Sequence, residues 1–203
     1  MEVEVTTWHL EMTAPTDLVP APMPDCDVTL IRARRPSPEL SRFLYTAVGG
    51  DWYWIDRLPW TYERWLAWLS RAGVETWVAY VDGTPAGYFE LDATVEESVE
   101  LAYFGLLPAF AGRGLGGWLL TEALRRAWTL GPRQVRVHTC SLDGPHALAN
   151  YRARGMRVRS VVTAVERLPD GPPGPWPNAV PTRRASGPAT PERSDLARGR
   201  PGA

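Results

Sequence analysis

Between Ala111 and Gly117 the chain reads Ala-Gly-Arg-Gly-Leu-Gly-Gly, after an apolar segment ending in Leu106-Leu107-Pro108 and before a long amphipathic run. Glycines this closely spaced let backbone N–H groups converge without Cβ obstruction, and a helix starting behind them adds its positive end. Together they make an anion site suited to a pyrophosphate. Gly112, Gly114 and Gly117 also spell G-x-G-x-x-G, the spacing of dinucleotide folds. Those folds place the glycines directly after the first strand of a parallel unit. Here Pro108-Ala109-Phe110-Ala111 intervenes, several strand-like segments come earlier, and little patterned sequence remains. The sequence therefore argues against a dinucleotide site. A turn without a ligand is the bland alternative, but glycines at the start of a helix cost stability for no structural gain.

Other side chains could do chemistry around that turn. Glu100 lies between Val99 and Leu101, where burial of an unpaired carboxylate is costly and raises its pKa. That suits a base, although an edge-facing or ion-paired Glu100 would not need it. Glu90, on the preceding segment, is its rival, whereas Glu96 and Glu97 fall in a turn. His138 and Cys140 share one strand face by parity. Lacking a third orienting group they make a weak nucleophilic pair, so His138 is assigned instead to the lining of a substrate pocket. Trp52, Tyr53, Trp54, Trp60, Tyr62, Trp65 and Trp68 crowd one window. Tyr62 and Trp65 are expected in packing. Trp52, Tyr53 and Trp54 follow Gly49-Gly50 and cannot all bury on one side, so they are expected to wall a pocket for an apolar-bodied or cationic ligand. Asp51, Asp56 or Glu90 could pair with its positive charge.

Composition sets the limits. The chain has 203 residues, 44% hydrophobic and 22% charged, with 22 cations against 23 anions. It can bury a core without staples, and the balance of charge argues against a dedicated nucleic-acid or membrane-surface binder. Every cation is Arg, which excludes Schiff-base and Lys-nucleophile chemistry. Cys26 and Cys140 are the only thiols, far apart, so no metal site or disulfide framework is expected. The start, MEVEVTTW, has neither basic nor apolar leader character, and a cytoplasmic location is expected.

Hydrophobic periodicity gives the elements that must position these groups. Glu2–Met12 alternates and reads as an edge strand, one that could pair between subunits; a Pro-rich link and a strand at Asp27–Ala33 follow. Ser37-Pro38-Glu39 starts a helix carrying Leu40, Phe43, Leu44 and Ala47 on one face, stopped by Gly49-Gly50. A second helix begins near Thr61 with Tyr62, Trp65, Leu66 and Leu69. Two strands flank Asp82-Gly83, a hairpin signal. Strand Val99–Leu107, helix Gly114–Leu130, strand Gln134–Cys140, helix Pro145–Arg154 and strand Val158–Arg167 complete the order. Consecutive strands without helices between them predict a mixed α/β sheet, mostly antiparallel, flanked by about four helices. From Leu168 the chain is Pro-rich and poor in apolar residues, as a disordered tail would be.

Two ordered motifs carry a family resemblance. Ala111-Gly112-Arg113-Gly114-Leu115-Gly116 after Leu106-Leu107-Pro108 resembles the phosphate loop of the GNAT superfamily, the acyl-CoA-dependent N-acyltransferases. Gly144-Pro145-His146-Ala147-Leu148-Ala149-Asn150-Tyr151-Arg152-Ala153-Arg154-Gly155-Met156 resembles its later motif. Ala111 stands where Gln or Arg is usual, Gly144 where Asn is common, and Met156 where Phe is. The resemblance implies a GNAT domain over 27–167, with 1–26 packed on it and 168–203 as the tail. It implies acetyl-CoA as cosubstrate, a small-molecule primary amine as acceptor, and no metal. Phe104, Gly105, Leu106 and Leu107 would pair with pantetheine. Gly112, Arg113, Gly114, Leu115, Gly116 and Gly117 would hold the pyrophosphate, with Asn150 beside them. Glu100 would be the catalytic base and Tyr151 the acid that protonates the departing thiolate. Trp52, Tyr53, Trp54, Glu90 and His138 would contact the amine. A protein- or peptide-directed transferase and a non-catalytic acyl-CoA-binding module are the alternatives. Nucleic-acid and membrane partners are not expected; the oligomeric state is left open, with a homodimer as one option.

Overall fold

A computed structural model describes residues 1–176. Its strands are β1 (Glu2–Met12), β2 (Val28–Arg32), β3 (Val74–Val81), β4 (Thr84–Val95), β5 (Ser98–Leu106), β6 (Gln134–Cys140) and β7 (Arg157–Arg167). Its helices are α1 (Pro38–Gly49), α2 (Tyr62–Leu69), α3 (Leu115–Thr129) and α4 (Ala147–Ala153). The strands form one sheet in the order β2-β3-β4-β5-β6-β1-β7. Every neighbouring pair is antiparallel except β5 with β6, which run parallel.

Local sequence accounts for most element ends. The Ser37 hydroxyl accepts from the Leu40 N–H at 3.3 Å, capping α1, with Pro38 in its first turn. Thr61 caps α2 in the same way through the Arg64 N–H. Asp82 and Gly83 both have positive φ, 50° and 75°, as a tight two-residue hairpin turn requires.

α3 lays Leu119, Leu120, Ala123, Leu124 and Ala127, all fully buried, against Phe89, Leu91, Val99, Leu101 and Val135 on one face of the sheet. α1 covers the other face with Leu44 and Val48 against Val78 and Tyr88. The buried stripe of α1 is shifted from the expected one. Tyr45 is 1% exposed while Phe43 is 38% exposed, because the Tyr45 ring is drawn into contact with Trp54, Trp65 and Tyr103. Tyr62, expected in packing, is 53% exposed.

β1 is not an edge strand. It lies between β6 and β7 and pairs with both, burying Leu10 and Met12 in the core under α3. Alternation reports the two faces of a strand, not its two edges. The link after β1 is fastened across α3 and α4, the Ala21 N–H donating to Thr121 Oγ1 and the Val19 N–H to the Arg154 carbonyl. The segment read as tail begins on the body: Leu168 is buried, and the Gly174 N–H donates to the Gly50 carbonyl. The remainder of that tail lies outside the described residues. No helix among the described residues is long and apolar enough to cross a membrane.

Candidate active site

The parallel pair at the centre of the sheet is incomplete. β5 and β6 are paired only at Ser98–Gln134, Val99–Val135 and Glu100–Arg136. Beyond that point they part, and a cavity of about 730 Å³ opens between them. β5 still pairs with β4 on its other edge. Its backbone from Phe104 to Leu106 therefore lines the cleft with free hydrogen-bonding groups on one side, able to receive an extended chain as an added strand. Leu107 turns away, its N–H donating to the Ala86 carbonyl.

The glycine turn closes one end of the cleft. Gly112 and Gly114 have φ of 81° and 77°, with nothing within 4 Å of where a Cβ would stand. Gly114 is the N-cap of α3 and brings no side chain to its first turn. The N–H groups there are left to an external acceptor, with the positive helix end behind them. Gly112, Gly116 and Gly117 line the cavity. Leu115 does not; it is 2% exposed and belongs to the core. Arg113 is exposed, and neither it nor Gly114 lines the cavity.

α4 completes this end. The Asn150 amide donates to the Gly116 carbonyl at 3.3 Å. Arg154, one turn on, brings Nη1 to 2.8 Å from the position a Gly117 Cβ would take, and its Nε is buried without a hydrogen-bond partner among the described residues. An unpaired guanidinium beside uncapped helix N–H groups adds positive charge to this end of the cleft, although Arg154 itself does not line the cavity. Arg154 was legible only through its i, i+4 spacing from Asn150.

Tyr151 lines the middle of the cleft and is 6% exposed. Its ring meets Phe104 edge-on at 6.1 Å. The hydroxyl forms no hydrogen bond among the described residues, and burial pushes the phenol far above its usual range. It stays protonated and able to donate.

At the far end stand His138 and Glu100. His138 Nδ1 lies 3.3 Å from Glu100 Oε1. The contact with His138 holds the Glu100 carboxyl below the usual carboxylate range, and the same contact raises the His138 imidazole above its own. The expected elevation of Glu100 is therefore reversed, because the carboxylate is ion-paired and 37% exposed rather than sealed in. His138 lines the cleft; Glu100 stands behind it and lines only a neighbouring cavity.

Trp52, Tyr53 and Trp54 line a further wall of the cleft. Trp54 packs on Gly49 so closely that any Cβ there would fall about 2.1 Å from its ring. Tyr53 holds φ of 60°, a conformation ring-bearing residues rarely adopt and one that neighbouring structure must enforce. Asp143 fixes the opposite rim, its carboxylate accepting from Trp54 Nε1, Thr139 Oγ1 and the Cys140 N–H. Asp56 is exposed at the mouth.

The structure removes Glu90 from the cleft. It is 1% exposed and absent from the cavity lining. Arg57 Nη1 lies 2.9 Å from its carboxylate, and Trp68 Nε1 donates to it at 2.8 Å. The Arg57 guanidinium is in turn boxed by Trp60, Trp68 and Tyr103, with ring centres 4.3–4.6 Å away. The aromatic window thus houses a cation of the protein's own, and it is Arg57 that anchors the loop bearing Trp52, Tyr53 and Trp54. Nothing in the local sequence marked Arg57. Among the described residues, no group of three or more His, Cys, Asp or Glu side chains could hold a metal ion.

A split parallel pair with a glycine turn at one end defines a class, and comparison with known proteins agrees. The family model described as acetyltransferase (GNAT) family matches residues 41–156, and the chain belongs to that family. A GCN5-related N-acetyltransferase from Kribbella flavida matches with a TM-score of 0.59 at 21% identity, over 85% of this chain and 60% of that one. One from Sphaerobacter thermophilus matches with a TM-score of 0.56 at 23% identity, over 79% of this chain and 50% of that one. An aminoglycoside acetyltransferase from an uncultured soil metagenomic sample matches with a TM-score of 0.52 at 16% identity, over 63% of this chain and 86% of that one. The chain thus spans 60% and 50% of the length of the first two of these. No curated protein matches it.

Proposed function

We propose that the protein transfers an acetyl group from acetyl-CoA to the primary amine of a small molecule. The observation that carries this reading is the cleft where β5 and β6 part, with uncapped α3 N–H groups at one end and the His138–Glu100 pair at the other. The pyrophosphate sits on the turn from Gly112 to Gly117, with Arg154 and Asn150 beside it. Pantetheine lies along Phe104, Gly105 and Leu106, which carries the thioester toward Tyr151 and His138.

An ammonium must lose a proton before it can attack. With Nδ1 turned to Glu100, His138 offers Nε2 to the amine. The amine nitrogen attacks the thioester carbonyl, an N–C bond forms, and the amine proton passes to His138. The C–S bond then breaks, the thiolate takes a proton from the Tyr151 phenol, and the proton held on His138 returns through solvent to the Tyr151 phenolate. Glu100 orients the imidazole and stabilises its cation.

The rings of Trp52 and Trp54, the latter tied across the cleft through Asp143, make a short walled acceptor site rather than a long groove. That favours a small amine over a protein chain, and one structural relative is an aminoglycoside acetyltransferase. The test is release of free thiol from acetyl-CoA across an amine library. Amine-dependent release that is lost in His138→Ala supports the reading; no release with any amine at millimolar concentration contradicts it.

A further inference from the structure

The cleft changes sign along its length. At the glycine turn, uncapped N–H groups with Arg154 close behind make the end positive. Among the described residues no Arg lines the cavity itself; its carboxylates are Asp56 and Asp143, and its imidazoles are His138 and His146. The guanidinium groups behind the walls are matched. Arg57 is sealed against Glu90. Around the neighbouring cavity, Arg136 and Arg159 balance Glu100 and Glu11 once His138 is neutral, as its role as base requires.

Asp56 and Asp143 have no such match. Asp143 accepts from Trp54, Thr139 and the Cys140 N–H, all neutral donors that leave its charge in place. The Asp56 carboxylate makes no hydrogen bond or ion pair among the described residues. Both act on the reacting end: His138 is raised first by its contact with Glu100 and further, through space, by Asp143 and Asp56. Tyr53, on the same loop as Asp56, lines the cleft with it. Its ring enters no hydrogen bond or ring contact among the described residues, and its backbone is held at φ of 60°, strain of the kind that clusters at ligand sites. Tyr151, 6% exposed with its hydroxyl unpartnered among the described residues, marks the interior as a ligand site independently.

An amine enters this end as an ammonium, attacks as a neutral nitrogen and leaves as an amide. The reacting nitrogen therefore carries no charge to set against Asp56 and Asp143 at the step that matters. A charge that stays on the acceptor does. A free carboxylate and an aromatic face both attract such a charge.

We propose that the acceptor is a diamine or a larger oligoamine, with Asp56 and Tyr53 as specificity-determining residues that hold its second, non-reacting ammonium while the first nitrogen meets His138. The inference rests on the acyl-transfer reading above and narrows its substrate class.

The experiment uses acceptors that differ only at the far end. Terminal diamines of propane, butane, pentane and hexane are each compared with the amino alcohol and the trimethylammonium amine of the same chain length. Free thiol release from acetyl-CoA is measured for the full chain and for Asp56→Asn and Tyr53→Leu. Binding of the mono-N-acetyl diamines and the N-acetyl amino alcohols, in the presence of CoA, is measured by calorimetry. The expected result is at least one diamine favoured over its amino alcohol by about fivefold or more in kcat/KM or in affinity, the combined worth of an exposed ion pair and one ring face. The trimethylammonium amine keeps the preference, because charge rather than hydrogen bonding carries it, and added salt shrinks it. Asp56→Asn brings the ratio toward one, and Tyr53→Leu lowers it. Each ratio is taken within one variant, so partial unfolding cancels from it. If no amine is acetylated but the N-acetyl diamines still bind better than the N-acetyl amino alcohols and Asp56→Asn removes most of the difference, the transfer reading fails and the cation site stands. If diamines and amino alcohols are equivalent in both measurements, or the preference survives Asp56→Asn unchanged, the proposal is overturned.

Discussion

Trp54 Nε1 donates to Asp143 Oδ1 at 3.3 Å, tying the loop after α1 to the loop after β6 across the mouth of the cleft. The other carboxylate oxygen of Asp143 holds Thr139 and the Cys140 N–H, so one side chain braces two walls of the cleft. Asp143→Ala is expected to lower stability by about 1–3 kcal/mol, the cost of donors left unpaired. It is also expected to raise KM for the amine more than KM for acetyl-CoA. Steady-state kinetics with both substrates varied, beside denaturant unfolding, checks the split.

The contact between Glu100 and His138 predicts a pH signature. The pair raises the His138 pKa, and the base works only when neutral, so the rate climbs as pH rises through that elevated value. Glu100→Gln removes the charge that stabilises the imidazolium, and the acid limb of kcat/KM moves to lower pH while its plateau falls. A limb that stays in place in Glu100→Gln would mean that another group titrates.

Tyr151→Phe deletes a hydroxyl that has no hydrogen-bond partner among the described residues and therefore leaves none orphaned. Folding and acetyl-CoA affinity are expected to be retained, while kcat falls about a hundredfold, as for loss of a positioned acid. Single-turnover rates and calorimetry on the same variant separate these effects.

Arg57 and Glu90 form a sealed ion pair. Arg57→Met strands the Glu90 carboxylate, with an expected cost of about 3–5 kcal/mol at neutral pH, much of which Arg57→Met/Glu90→Gln recovers. Burial already raises the Glu90 pKa in the folded chain, and losing Arg57 raises it further. A carboxyl with an elevated folded-state pKa favours folding at low pH and loses that contribution as pH rises through the folded value. The penalty of Arg57→Met should therefore shrink on acidification, which denaturant titrations at several pH values will show.

Features encoded within a few residues were legible in the sequence. The Ser37 cap, the Asp82-Gly83 turn and the glycine turn before α3 each carry their own chemistry, and two such motifs sufficed for the family. What escaped depended on partners distant in sequence. β1 alternates as an edge strand would, but its place between β6 and β7 is set by residues from Gln134 onward. Glu90 looked available because Arg57, its partner, sits on another element. Glu100 and His138 were each noticed, yet their pairing needs the parallel β5–β6 register, which no local pattern displays. Taken one at a time, Glu100 reads as a base and His138 as lining; only their contact makes them one unit.

Titration of acetyl-CoA into the protein, followed by calorimetry, probes the pyrophosphate site most directly, with Gly116→Asp as the matched variant. A Cβ at Gly116 meets its nearest neighbour, Leu106, at 3.6 Å, an ordinary contact, and a carboxylate in the first turn of α3 favours the helix. The variant should fold while placing a negative charge where the proposed function puts the diphosphate. Saturable binding by the native chain, weakened at least tenfold in Gly116→Asp, is the predicted result; no binding heat at millimolar acetyl-CoA, or equal affinity in both proteins, would contradict it.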